Sequence, residues 1–432
     1  MLQTNENYPS RCVGKHTPIE KVTGSEQVVL RGRVIQLMGR EGILADETGQ
    51  VPFNYAGNLE GACGKGDFVE LKGSLENKGT IEALEVRLLA RSIRDFEQGD
   101  WGRFHVENRK RLHGLRFRSK VLVAIRSFFA QRDFIEVETP YFLEVPGQEV
   151  HIEQFKTEYR SSKINTPLYL ATSPEHHMKR LLGGGLEQIF QIARCFRNDE
   201  CSNMHNPEFT MVEWYRAYAS YEDIMVDTEE LIAYVAREVY GNSIPAELAG
   251  VINKPWPKIS VYEAFQKWAG IDLRECADTE LFFRCAQRAG FSSAVKGDTW
   301  DDLFHKILVE KVEPELEKFD AVFLMDYPMP LAALAKRKET DNAVAERAEV
   351  YIRGVELANG YSELNDPNEQ RQRFEEARKD MGSDEALDEE FLRAMECAIP
   401  PAGGMALGVD RLVMLLTGNE RIDDVIAFPH KP

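Results

Sequence analysis

The chain has 432 residues, of which 43% are hydrophobic and 29% charged, and its formal net charge is −18 at neutral pH. That length exceeds one compact core and fits two or three domains, with the ordinary composition of a globular enzyme. The acidic balance argues against general adhesion to phosphate backbones, and no run reaches the roughly 18 apolar residues of a membrane span. The opening Met1-Leu2-Gln3-Thr4-Asn5-Glu6-Asn7 lacks the basic start and apolar core of a signal peptide, so a cytoplasmic chain is expected. The seven cysteines are scattered at 12, 63, 195, 201, 276, 285 and 397 without a C-x-x-C pair. Free thiols in a reducing compartment follow, and zinc is disfavoured.

Residues 26–93 read as β structure, with short apolar alternations at 28–37, 42–45, 51–55, 68–71 and 81–89 broken by Gly-rich turns. Five short strands in about 70 residues suggest a small barrel of the OB type. A polar, charged stretch at 95–113 suits a linker. From Phe117 the period changes, and Phe117, Val121, Leu122, Ile125, Phe128 and Phe129 mark one helix face. Residues 134–140 then read as extended. Strand-like runs follow at 168–171, 189–193 and 209–215, a mainly helical tract at 220–320, and strands again at 322–328 and 349–358. A Gly-rich strand-to-helix turn at 403–416 closes the pattern. The fold class expected is α+β, with a barrel domain at 1–100 and a larger domain at 101–432.

Three clusters could carry chemistry. In a strand, Phe209, Met211, Glu213 and Tyr215 share one face, a poor core pattern. A half-exposed hairpin with a solvated charged face is the alternative. The second cluster is Glu349, Glu356, Asn359, Tyr361 and Glu363. Glu349 and Glu363 share parity, and Glu356 opposes them unless a bulge at Ala358-Asn359-Gly360 resets the phase. Carboxylates so placed suit magnesium carrying nucleotide phosphates, or else form an acidic solvated strand. The third is Gly403-Gly404-Met405-Ala406-Leu407-Gly408-Val409-Asp410-Arg411, where glycines let a ligand approach the backbone and Arg411 brings a fixed positive charge. It is neither a Rossmann fingerprint nor a Walker A loop. His176 and His177, with no further His or Cys nearby, make a poor metal pair, whereas His205 lies in the loop between two polar strand ends.

In this order the segments resemble the three signature motifs of class II aminoacyl-tRNA synthetases: motif 1 at 128–140, motif 2 at 194–215 and motif 3 at 404–416. The similarity spans about 105–430. Within that class, His205-Asn206-Pro207-Glu208-Phe209-Thr210-Met211 and Asn359-Gly360-Tyr361-Ser362-Glu363-Leu364-Asn365-Asp366 resemble the lysyl branch. That branch holds lysyl-tRNA synthetases and shorter ligases that place (R)-β-lysine on elongation factor P. The run Thr172-Ser173-Pro174-Glu175-His176-His177-Met178-Lys179-Arg180-Leu181-Leu182, the acid at Asp199-Glu200 and Ala406 are closer to the ligases. The barrel departs from them, since those ligases usually lack one.

The resemblance implies an antiparallel sheet flanked by helices and an ATP-dependent, AMP-forming ligase using magnesium. Arg197 would bridge the substrate carboxylate and the α-phosphate, with Arg411 as the second catalytic arginine. Phe209 would stack the adenine, Asp199 and His205 would lie beside the nucleotide, and Glu349 and Glu356 would hold magnesium. Glu363 and Tyr215 would take the side-chain ammonium of a lysine-type amino acid. Glu175 and Glu213 would contact its amino end, with Ser173, Asn359, Tyr361 and Ala406 completing the pocket. The acyl group would pass to a lysine of elongation factor P, with tRNA(Lys) as the alternative acceptor. A non-catalytic regulatory paralogue is disfavoured because Arg197, Arg411, Glu349 and Glu356 are all present. Residues 1–100 hold 12 Lys and Arg against 15 Asp and Glu, and the middle strands offer few exposed aromatics, chiefly Phe53 and Tyr55. The barrel therefore reads as one that has lost anticodon reading. Motif 1 implies a homodimer.

Overall fold

The computed structural model describes residues 14–94, 104, 110–147, 149, 152–382 and 384–430, apart from 25, 77 and 78. The opening heptapeptide, Cys12, the expected domain boundary near 100 and most of the expected linker lie outside the described residues. The chain divides into two compact units, Met1–Arg116 and Phe117–Pro432.

In the first unit β1 (Gln27–Met38), β2 (Glu41–Ala45), β3 (Gln50–Tyr55), β4 (Phe68–Leu75) and β5 (Ile81–Ala90) form a closed barrel in the order β1-β2-β3-β5-β4. Period-two alternation sends Leu30, Val34, Leu44, Phe53, Val69, Leu71 and Ile81 into one core. Phe53 is therefore a core residue and not the exposed aromatic expected from sequence. Phe68 is exposed instead, with the Arg33 guanidinium 4.3 Å from its ring centre.

The second unit is built on one large sheet. Its strands are β6 (Ile135–Glu136), β7 (Gln188–Phe196), β8 (Glu208–Ala217), β9 (Lys258–Ser260), β10 (Val322–Pro328), β11 (Asp341–Ile352), β12 (Val355–Ser362) and β13 (Ala402–Gly408). Their spatial order is β9-β10-β11-β12-β13-β8-β7-β6, antiparallel except for β9 with β10 and β6 with β7. The helix α1 (Lys110–Ala130) begins inside the stretch read as linker. From Phe117 onward its apolar stripe joins α3 (Tyr221–Tyr240) and α6 (Val409–Thr417) in a core against one sheet face. Phe129 stacks on Phe190 at 4.6 Å and lies 5.5 Å from Trp214. A capping box of Ser220 and Asp223 starts α3. Three further helices border the other face: α2 (Glu175–Gly183), α4 (Pro367–Asp380) and α5 (Glu389–Glu396).

Two details correct the reading of 349–358 as a single strand. Arg353 and Gly354, at φ 51° and 77°, form a tight hairpin turn that folds β12 back on β11. The register also slips by one residue between the Val350–Ala358 and Tyr351–Glu356 pairs, so the bulge sits at Leu357 and not at Ala358-Asn359-Gly360.

One buried polar network joins the elements that carry the three motifs. Asp410, in the first turn of α6, is paired with Arg118 of α1 and accepts the backbone N–H of Thr210 on β8 at 2.7 Å. Arg118 Nη2 also donates to Thr210 Oγ1 at 2.7 Å. Removing one partner of a buried pair strands the other charge, so Arg118→Met is expected to lower the unfolding free energy by about 3–5 kcal/mol. Denaturant unfolding followed by tryptophan fluorescence checks this, and adding Asp410→Asn should restore part of the loss.

Candidate active site

Register places the polar side chains in rows across the sheet face opposite the core. One row runs Gln191, Glu213, Ala406, Asn359, Glu349 over β7, β8, β13, β12 and β11. Two residues along, a second row runs Tyr215, Gly404, Tyr361, Arg347. Strand periodicity sends both rows to the same side, where all of these residues except Gln191 line a cavity of about 1580 Å³.

At one end of the cavity carboxylates gather. Glu213 accepts from Ser173 Oγ at 2.6 Å and from the Tyr215 hydroxyl at 2.9 Å. Burial, with Glu175 adding to it, pushes its carboxyl up to about 8. Glu175 accepts from the Tyr361 hydroxyl and lies 2.6 Å from Lys179 Nζ, which also contacts Glu363 Oε2. Glu363 is 1% exposed, and burial pushes it up to about 8 against the opposing charge of Lys179. Its Oε1 has no hydrogen-bond partner. Glu149, which accepts from Thr172, completes the group and is raised by burial against the pull of Arg197.

Gly404 makes this end possible. A methyl group there would lie 2.4 Å from Glu363 Oε1 and 2.4 Å from the Tyr215 ring, so the carboxylate occupies space that a side chain would take. At Gly360 a methyl would meet the Gly404 carbonyl oxygen at 2.3 Å. Gly408, by contrast, has nothing closer than 3.8 Å. Glycine in this segment thus serves side-chain approach at Gly404 more than ligand approach.

The other end is mixed in charge. Arg197 lines the cavity with its Nε unpartnered, and its guanidinium stands 5.2 Å from the Phe209 ring centre. Arg411 is spread between two partners, donating from Nη1 to the Glu356 carbonyl and from Nη2 to His205 Nε2, each at 2.6 Å. With Nε2 accepting, the His205 hydrogen sits on Nδ1 toward Ser202 Oγ, 2.9 Å away. Burial and then Arg411 hold His205 below its usual range, in keeping with a neutral ring. Glu349 accepts from Arg347 Nη2 at 2.8 Å and from the Tyr351 hydroxyl at 3.0 Å. Burial, then Glu349, pushes Glu356 up to about 7.

Magnesium fits these two glutamates in donor chemistry. They supply hard oxygens, and the strain of like charge recorded at Glu356 is what a cation would relieve. No cluster of three or more His, Cys, Asp or Glu ligands exists among the described residues, so phosphate oxygens would have to complete such a site.

Of the residues singled out in the sequence, Arg197, His205, Ser173, Glu175, Glu213, Tyr215, Glu349, Glu356, Asn359, Tyr361, Glu363, Ala406 and Arg411 all border the cavity. Asp199 does not. It is exposed and occupies a turn at φ 60°, its own N–H held by Asn198 Oδ1. Phe209 lies half-buried beside Arg197, outside the cavity lining. Sequence reasoning missed Lys179, Arg347 and Glu149. The first has a signal in hindsight, because Glu175 and Lys179 are four apart on a helix whose Met178 and Leu182 are buried.

A family model described as tRNA synthetases class II (D, K and N) matches residues 103–432. The chain belongs to that family. A lysine–tRNA ligase of Pelotomaculum thermopropionicum is 37% identical over 443 residues, 93% of this chain and 85% of its own. One from Moorella thermoacetica is 38% identical over 389 residues, 84% and 78% of the two chains. One from Pseudomonas fluorescens is 35% identical over 459 residues, 98% and 91%. The chain is accordingly an ATP-dependent ligase of this family. Given the contacts at Gly404, Gly404→Ala should displace Glu363 and Tyr215 and lower amino-acid-dependent pyrophosphate exchange by about 10²-fold, the scale of a 1 Å misplacement. Exchange rates beside far-UV circular dichroism separate this from unfolding.

Proposed function

We propose that the protein activates lysine, or a lysine-type amino acid, as an aminoacyl-adenylate and passes the acyl group to tRNA(Lys). The observation that carries the amino-acid half is the buried Glu363 carboxylate, which borders the cavity beside Glu175, Glu213 and Tyr215. A diamino acid brings two ammonium groups, and this end of the cavity is rich in carboxylates. The names of the relatives support lysine and tRNA(Lys) together.

In the first step a carboxylate oxygen of the amino acid attacks the α-phosphate of ATP, the new acyl–phosphate bond forming as the bond to pyrophosphate breaks. The chain positions the reactants and neutralises charge. Arg197, with its free Nε, spans the carboxylate and the α-phosphate, since a planar fork suits two oxygens at once. Arg411 and the neutral His205 lie toward the nucleotide. Magnesium, when bound, would be held by Glu349 and Glu356 and would supply further neutralisation of the phosphates.

A second reading keeps the adenylate and changes the ends: (R)-β-lysine as substrate and a lysine amine of elongation factor P as acceptor. Two observations favour it. Ala406 stands in the row between Glu213 and Asn359, where its methyl takes up room beside the amino end of the substrate. The loop after Arg197 carries Asp199 and Glu200, the latter on the cavity wall, and acids there oppose an approaching tRNA end. A homodimer through the segment 128–140 and a cytoplasmic location belong to both readings. The exposed Val123 and Ile135 are consistent with such an interface.

The test offers labelled lysine and (R)-β-lysine with ATP, then each acceptor in turn. The expected result is pyrophosphate exchange that Arg197→Ala abolishes, followed by charging of tRNA(Lys). Labelling of the factor with bare tRNA would establish the second reading, and no exchange with either isomer would sink both.

The acid cluster also sets a pH dependence. Glu213 and Glu363 are both raised to about 8. Burial makes both take up protons more readily than an ordinary carboxylate, and an ammonium favours their ionised forms. Lysine binding should therefore release protons below about pH 8, and its KM should fall as pH rises from 6.5 to 8.5, by up to about tenfold per unit for each proton released. Calorimetry in two buffers of different ionisation enthalpy counts those protons.

A further inference from the structure

Lys179 lies on α2 with 1% of its side chain exposed, and none of the adenylation roles above uses it. Its ammonium is 2.6 Å from Glu175 Oε1, touches Glu363 Oε2 and stands 5.2 Å from the Tyr361 ring centre. An ammonium taken out of water costs several kcal/mol unless well paired, and here both partners are themselves buried acids. The pairing uses one Glu363 oxygen and leaves the other against the Gly404 backbone, where a side chain would otherwise stand.

We propose that Lys179 is a positioning residue for amino-acid recognition: its ammonium holds Glu175 and Glu363 in place, so that the Glu363 carboxylate meets the distal ammonium of the substrate. This role rests on the lysine-type substrate proposed above. Lys179 then acts as a resident cation that sets where the second cation stops. The charges around the pair come from several elements. His176 acts on Glu175 from α2 itself, and Glu149 and Glu213 lie on the adjoining loop and β8. The Tyr215 and Tyr361 phenols are both raised far above their ordinary range by burial, so they act as neutral donors. Among these neighbours Lys179 is the cation that opposes the upward push on Glu363.

The test is pyrophosphate exchange from pH 6 to 10 with the unaltered protein, Lys179→Met and Lys179→Arg. In Lys179→Met the lysine KM should rise at least about tenfold while the ATP KM stays within about twofold, and the rising limb of kcat/KM for lysine should move up by about one pH unit or more. Lys179→Arg keeps the charge in a different shape, so its KM should rise without movement of the limb. A Lys179→Met profile that does not move would reduce Lys179 to a packing residue and overturn the proposal. If Lys179→Met does not fold, the arginine variant decides: a displaced limb despite the retained charge overturns the proposal, and an unmoved limb with raised KM supports it. Absence of lysine exchange in the unaltered protein would overturn the substrate reading itself, and this role with it.

Discussion

Gathering several carboxylates into one water-poor end of a cavity is the constraint on which the rest of the structure depends. Each ionised carboxylate removed from water costs several kcal/mol before any partner is found. The chain meets that cost in three ways at once. Lys179 supplies a cation to Glu175 and Glu363. Ser173, Tyr215, Tyr361 and Thr172 supply hydrogen bonds. What remains is carried as raised affinity for protons at Glu213 and Glu363. Such a cluster persists only where the frame around it cannot relax, because any loosening would admit water or let the acids separate.

The frame is an antiparallel sheet with unlike faces. One face carries Trp214, Leu407 and Val350 into a core with three helices, while the alternate residues Glu213, Ala406 and Glu349 meet the cavity. A one-residue slip anywhere would exchange these sets, so burial on the core side fixes the chemistry on the other. The Arg118–Asp410–Thr210 network adds a polar lock, since it ties together α1, β8 and α6, the elements that carry the three motif segments. The slip at Leu357 brings Glu356 to the cavity with Glu349 although their parity in a straight strand opposes them.

Much of this was legible in the residues themselves. The five barrel strands, the α1 stripe from Phe117 to Phe129 and the polar face of 209–215 follow from periodicity alone, because each is set by local burial. What periodicity could not give was pairing. The Arg353-Gly354 turn was hidden inside a run that reads as one strand, though a glycine between two apolar stretches is the signal that a hairpin leaves. Phe53 was misread because a barrel interior and a stacking surface both call for an aromatic, and only closure of the strands decides between them. Lys179 was passed over for a related reason. A Glu and a Lys four apart on a helix usually form a surface pair, and the residue that changes this, Glu363, is distant in the chain. Asp199 shows the converse: its place in a motif-like segment suggested a site residue, but the turn it occupies leaves it exposed.

Charge pairing also limits how an acceptor can be recognised. On the barrel, Arg31 and Arg87 both stand on Glu70, and Lys72 stands on Glu85. A polyanion laid there would meet cations whose field is already largely cancelled, and would gain little from counterion release. At the cavity, Arg411 is held by the Glu356 carbonyl and His205, and Glu200 lies 3.8 Å from Arg197 Nη1. At these positions, among the described residues, a polyanion meets cations that are already opposed.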